Sequence, residues 1–286
     1  MIPLSKDEKR KVGPVYRVFS QDLHSTKLHG EAIGIRQAEV WRSKSRQFSR
    51  DASIMGSIST AKRSDEKDKM PSMDKSGFII LRESLWSDVD QLDRRLIVKL
   101  FSESGGWIAT MEEMVAEEYA ASFVSDEPLV AFTVLSKESE IITWVKQQKR
   151  GGLSTENYSF YILGPDNTFE AFRIEGARGS MGDDFDVIRL NGHQQIANID
   201  SKFGDLGGEF IVKIKDPVLA ENEWFCRVLQ CFSVMIAYRG EIREKINKGF
   251  HLWKKGKWIP KQHRYEISLL ANPRKLTLKL DELEEV

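Results

Sequence analysis

The chain has 286 residues, with 43 Lys/Arg balancing 43 Asp/Glu, 41% hydrophobic and 10% aromatic residues, and two cysteines. That length can bury a sizeable core in one large domain or two small ones. No run approaches the roughly 18–20 apolar residues of a membrane-spanning helix, and the opening MIPLSKDEKRKVGP is too polar for a secretory signal. Cys226 and Cys231 lack a nearby His or further Cys, so they read as buried thiols of a reducing compartment, not as a metal site.

Charge is unevenly placed along the chain. Residues 1–75 hold 16 Lys/Arg against 10 Asp/Glu, with 11 serines and few large apolar residues after Trp41. Too little can be buried there to offset ordering entropy, so the stretch reads as a disordered, basic, Ser-rich arm. The folded part is expected to span 76–286.

Within it, GFIILRESLW (77–86) and RRLIVKLF (94–101) read as strands. TMEEMVAEEYAASF (110–123) reads as a helix, with Thr110 as N-cap, Glu113 closing a capping box, and Met111, Met114, Val115 and Tyr119 on one face. PLVAFTVL (128–135) and IITWVKQQ (141–148) follow as strands. YSFYILG (158–164) and TFEAFRIEG (168–176) form a hairpin about Pro165-Asp166-Asn167. FDVIRLNGHQQIANI (185–199) forms another about Asn191-Gly192. GEFIVKIKD (208–216) alternates as a strand should. EWFCRVLQCFSVMIAY (223–238) is apolar at nearly every position, and a helical turn followed by a buried strand is expected. RKLTLKLDEL (274–283) closes the chain as a strand. The fold class predicted is α+β: a single globular domain of antiparallel sheets with a few packed helices.

Signatures of catalysis are scarce. The sequence has no phosphate loop, no dinucleotide fingerprint, no HExxH and no nucleophile elbow. GARGSMG (176–182) reads as an inter-strand loop. Asp183, Asp184 and Asp186 lack a second acidic cluster to complete an oxygen shell for a cation. The reading is of a protein that is not an enzyme and needs no cofactor or metal.

The concentrated feature is residues 245–264. Lys245, Lys248, Lys254, Lys255, Lys257, Lys261 and Arg264 occur there with no Asp or Glu, and Trp253 and Trp258 lie among them. A single-sign run repels itself, so folding alone does not favour it. Lysines attract phosphates, and tryptophan stacks on bases or sits at a lipid interface. These nine residues are therefore the candidate contact with anionic membrane or nucleic acid. RNA phosphate and lipid phosphate are not separable at this level.

The order of elements in 94–135, together with GEIREKINKGFHLWKKGKWIPKQHRYEI (240–267), resembles the globular domain of rhabdovirus matrix proteins, most closely those of plant nucleorhabdoviruses. Across GEFIVKIKD (208–216) and 240–267 the resemblance implies, in order, a β-hairpin ribbon, a short charged helix and a strand pair. It also implies a virion structural protein that self-assembles and condenses a viral nucleoprotein–RNA complex. Such a protein bridges that complex to an anionic membrane at the inner nuclear membrane or in the cytoplasm, and can meet a glycoprotein cytoplasmic tail and host import carriers. In such an arm VYRVF would dock on a neighbour, making Val15, Tyr16, Val18 and Phe19 the self-assembly anchor of a homo-oligomer. Lys9, Arg10 and Lys11, or Lys254, Lys255 and Lys257, would serve nuclear import. GPVY (13–16) departs from the late-budding Pro-Pro-x-Tyr pattern, which puts plasma-membrane scission in doubt. Two alternatives stand beside this one. FSVMIAYRGEIREKI (232–246) resembles a segment of the 30K plant-virus movement proteins, which bind single-stranded nucleic acid. QQIANIDSKFGDLGGEFIVKIKD (194–216) resembles a host lipid-binding β-domain of tubby or scramblase type.

Overall fold

The computed structural model describes residues 14–23, 52–62, 72–149, 156–164, 168–176, 184–201 and 208–261. Twelve antiparallel strands run in chain order and close on themselves, with the first pairing both the second and the twelfth. They are β1 (Arg17–Leu23), β2 (Ala52–Lys62), β3 (Asp74–Arg82), β4 (Ile97–Ser102), β5 (Trp107–Glu113) and β6 (Ala131–Ser136). The circuit continues with β7 (Thr143–Gln148), β8 (Asn157–Leu163), β9 (Phe169–Gly176), β10 (Phe185–Arg189), β11 (Gln194–Ser201) and β12 (Glu209–Ile214). Closure leaves none of these twelve described strands with an unpaired edge. Helix α1 (Val115–Ser125) joins β5 to β6, and α2 (Pro217–Glu221) leads into the 32-residue α3 (Glu223–Lys254).

Helix α3 fills the barrel. At 1.5 Å per residue it is about 48 Å long. Trp224–Ile236 is buried at every position but Arg227. A helix enclosed by strands on all sides has no polar face, which is why 223–238 shows no stripe. The expected turn followed by a strand is therefore replaced by continuous helix. Phe225 and Phe232 anchor it. Phe232 lies 4.9 Å from Tyr158 and 5.3 Å from Phe185, both edge-on, and Phe225 lies 5.2 Å from Phe172. Inward strand residues such as Tyr158, Phe160 and Ile162 alternate with half-buried ones, as period-two strands require. Two polar side chains bond across the lumen: the Trp224 indole donates to Thr143 (2.7 Å) and the Gln21 amide N–H to the Gln230 carbonyl (2.7 Å). Asn222 caps the helix by accepting from the Phe225 N–H at 3.0 Å.

The predicted α+β packing is thus overturned by a closed β-barrel around a helix. Both hairpins are present in the expected pairing, β8 with β9 and β10 with β11. The expected helix 110–123 is half strand. Thr110–Glu113 belongs to β5, where Thr110 accepts from the Trp107 indole, and α1 starts only at Val115 with no side-chain cap. Where a ribbon, a short charged helix and a strand pair were expected across 208–216 and 240–267, β12 is followed by α2 and by α3, which runs unbroken to Lys254. The boundary at 76 does not divide arm from fold, because β1 and β2 are barrel strands drawn from residues 1–75. Strand 274–283 lies outside the described residues.

Candidate functional site

Because the barrel is an up-and-down circuit, its loops alternate between two ends. Helix α3 enters at the end that carries the β6–β7 and β8–β9 loops and exits at the end that carries α1 and the 83–96 connection. Its last turns emerge as an amphipathic helix, closed by Gly256 at φ 65°. The Gly256 N–H bonds the Trp253 carbonyl at 2.8 Å and the Lys257 N–H bonds the Leu252 carbonyl at 2.9 Å, a paired C-terminal motif that needs a left-handed residue. The chain then turns back along α1.

This exit end gathers most of the nine residues singled out by charge, but divides them. Lys245 does not reach the surface. It is 1% exposed, ion-paired to Glu113 and bonded to the Arg94 carbonyl at 3.1 Å. Glu113 also accepts the Leu96 N–H at 2.7 Å, and Glu118 accepts the Ala131 N–H at 3.1 Å. Burial pushes the Glu118 carboxyl well above the usual range, reinforced by the adjacent Glu113 charge. Burial pushes Glu113 the same way, but the Lys245 ammonium and the hydrogen bonds it accepts outweigh that, so Glu113 titrates below the usual range. The two shifts run in opposite directions, so Glu118 is the carboxyl that holds a proton more readily and Glu113 the one that ionises more readily beside Lys245. Charged side chains are rarely buried without such pairing.

Trp253 and Trp258 are half-buried. Trp253 packs edge-on at 4.2 Å from Phe123 and 6.1 Å from Tyr119, and Trp258 sits 5.4 Å from Tyr119. They secure α1 to α3. Lys248 donates to Gln91 at 2.8 Å, and Lys254 pairs with Asp126 at 2.9 Å over the Phe250 ring. Lys255, Lys257 and Lys261 are exposed and ion-pair with no described residue. Along the barrel wall, by contrast, cations are matched: Lys213 to Asp200, Lys146 to Glu117, and Arg189 to Glu170 and Asp216.

Apolar residues that the sequence did not single out border these lysines. Phe123 is 40%, Val124 90% and Ile259 71% exposed. No pattern marked them, since Phe123 and Val124 simply end an apolar helical run and Ile259 follows the α3 stop. The exposed Val218, Phe169 and Ile141 lie at the entry end, in company with the exposed Glu103, Glu140 and Glu221. Two cavities flank α3 at the exit. One, about 140 Å³, lies among Leu92, Arg94, Arg95, Val115, Trp258 and Lys261, with Asp93 at its edge. The other, about 330 Å³, has Ile246 and Phe250 as its floor and Asp126, Asn247, His251 and Lys254 on its rim.

The other predicted sites fare differently. Val18 and Phe19 are barrel core, while Val15 and Tyr16 are half-buried just before β1. Val18 and Phe19 are thereby committed to the core of this fold, while Val15 and Tyr16 stay partly open to solvent. Lys9, Arg10, Lys11, Asp183 and Arg264 lie outside the described residues. Asp184 accepts from the Ser201 backbone at 2.9 Å and Asp186 from the Gln195 amide at 2.5 Å, so both serve the β10–β11 region. Among the described residues no three His, Cys, Asp or Glu side chains could jointly hold a metal ion. No helix among them is long and apolar enough to cross a membrane. The chain matches no family model, no curated protein and no solved structure.

Proposed function

We propose that this chain is a non-enzymatic adhesion module that seats the exit end of its barrel on an anionic membrane surface. One observation carries the reading: Lys255, Lys257 and Lys261, without a counter-ion among the described residues, share a barrel end with the exposed Phe123, Val124 and Ile259. Lysines beside protruding apolar side chains suit an interface where phosphates meet acyl chains, each cation there contributing about 1 kcal/mol. Single-stranded RNA would instead call for open ring faces on which bases stack. Trp253 and Trp258 are instead half-buried and packed against Tyr119 and Phe123. An all-β barrel agrees best with the lipid-binding β-domain of tubby or scramblase type. The matrix reading drew on element orders over 94–135 and 240–267 that this fold builds differently.

The test is co-sedimentation with vesicles of phosphatidylcholine containing phosphatidylglycerol, alongside single-stranded RNA retention. Replacing Lys255, Lys257 and Lys261 together with Glu should weaken vesicle binding by several kcal/mol at low salt. The melting temperature should hardly change, because exposed charges contribute little to folding. Salt near 0.5 M should weaken the wild type and leave the variant nearly unaffected. A triple variant that binds vesicles like wild type refutes the reading. RNA binding tighter than vesicle binding, lost in the same variant, would favour the nucleic-acid alternative.

A further inference from the structure

The cavity between the end of α1 and the last turns of α3 combines features that a merely adhesive patch does not need. Its floor is apolar, formed by Ile246 and Phe250, both at least nine-tenths buried. Its rim carries both signs: the carboxylates of Asp126 and Glu127, together with His251 and with Lys254 paired to Asp126. At about 330 Å³ it lies at the lower bound of small-molecule sites, which run from roughly 300 to 1,000 Å³. It also opens beside Val124 (90% exposed), at the barrel end read above as membrane-facing.

The rim already holds an ammonium. The Lys254 amine sits 2.9 Å from an Asp126 oxygen and 4.1 Å from the centre of the Phe250 ring. A carboxylate joined to an aromatic face is a recognition site for an alkylammonium, filled here by the chain's own lysine. That pair is exposed, with side chains 48% and 78% accessible, so little is lost when it opens. A ligand with an amine and an oxyanion a few bonds apart satisfies both partners at once. Its amine goes to Asp126, and its phosphate meets the released Lys254 and the neighbouring His251.

We propose that this cavity takes the amine-bearing headgroup of a phospholipid, ethanolamine or serine, and so gives the adhesion surface selectivity beyond charge. The proposal rests on the membrane reading, and the experiment keeps the two apart. Binding is measured to vesicles holding about 30 mol% phosphatidylserine or about 30 mol% phosphatidylglycerol, which carry the same net charge per lipid but differ in the paired ammonium and carboxylate that serine adds. Wild type should bind the serine vesicles roughly five- to tenfold more tightly, the scale of one extra charge-assisted hydrogen bond. Asp126→Asn should remove that preference and raise phosphatidylglycerol binding, because Lys254 is freed for phosphate. Asn suits this position, where Asp126 sits at φ 60° closing α1, since it adopts left-handed backbone readily. An unchanged melting temperature confirms that the variant is folded. Equal binding of both vesicles by wild type overturns the cavity proposal and leaves adhesion standing. Binding to neither overturns both. If free glycerophosphoserine raises the melting temperature while the vesicles are not distinguished, the cavity serves a soluble ligand and the lipid proposal is wrong.

Discussion

Glu118→Gln tests whether the fold holds a proton in its interior. Glu113, Glu118 and Lys245 are each at most 2% exposed, and two carboxyls face one ammonium. Glu118 is the member whose carboxyl is pushed up, by burial and by the Glu113 charge. An unfolded glutamate loses its proton near pH 4.3. Above that value the folded chain retains a proton that the unfolded chain has released. The stability tied to Glu118 is therefore fully present below the unfolded value and is lost as pH rises toward the folded one, at up to about 1.4 kcal/mol per pH unit. Glu113 has the opposite sign: lowered in the fold, it contributes above the unfolded value and loses that only as pH falls through its folded one. Above the unfolded value the Glu118 slope is the one that acts, so wild type should lose stability as pH rises there. Glutamine copies the protonated acid, with its carbonyl accepting from Ala131 and its amide donating to Glu113. Urea unfolding should find variant and wild type within about 1 kcal/mol at pH 5, with the variant increasingly more stable toward pH 7 and above. Parallel stability curves across that range would refute the resident proton.

Lys245→Met should cost about 3–5 kcal/mol, the usual result of leaving one partner of a buried pair, here Glu113, without its counter-ion. Vesicle binding by the fraction that remains folded should equal wild type, and a drop would return Lys245 to the adhesion surface. Burial pushes the Cys226 and Cys231 thiols up to about 12. Neither should react with a thiol reagent at pH 8 until denaturant is added, and rapid labelling of the native protein would contradict their place on the helix inside the barrel.

Much of the sheet was legible because hairpins and alternation are local. Asn191-Gly192 and the 158–176 segment specify their turns by themselves, and 208–216 alternates in the manner of a strand with one face buried. Closure was not legible. Which strand pairs with β1 depends on β12, some two hundred residues away, and no short-range pattern encodes that pairing. The arm was misread for a related reason. RVFSQDL and ASIMGSISTAK hold few large apolar residues, yet a strand that completes a barrel gains two neighbours and a lumen to face. Tertiary context outweighed composition there. At 223–238 the length of the apolar run fits a strand poorly and a fully enclosed helix well, and it was the lumen that settled the matter. Of the basic segment, the sequence showed the charge but not its direction. Lys245 and Lys248 are three residues apart on one helix, yet one neutralises a core carboxylate and the other reaches Gln91 at the rim.

That split places the division between stability and binding within a single helix. From Trp224 to Ile236, α3 meets strands on all sides, and substitutions there act through packing: Phe232 alone touches Tyr158, Phe185 and Phe132. From Asn247 onward its outward positions meet solvent or the short helix α1, and substitutions there act on the surface offered to a partner. The two regions meet at Lys245, Ile246 and Gly249. A side chain at Gly249 would press on the Tyr119 ring and on Trp258, whose ring lies 2.9 Å from where a Cβ would stand. Tight packing at that level holds α1, and with it Phe123, Val124 and Asp126, in one orientation against the α3 exit. Apolar and charged groups fixed before contact lose little side-chain entropy on binding, so a small surface can still adhere usefully. A larger residue at Gly249 should therefore weaken vesicle binding while Lys255, Lys257 and Lys261 keep their full charge, because the lysines would remain but the apolar side chains and the headgroup cavity beside them would no longer be aligned.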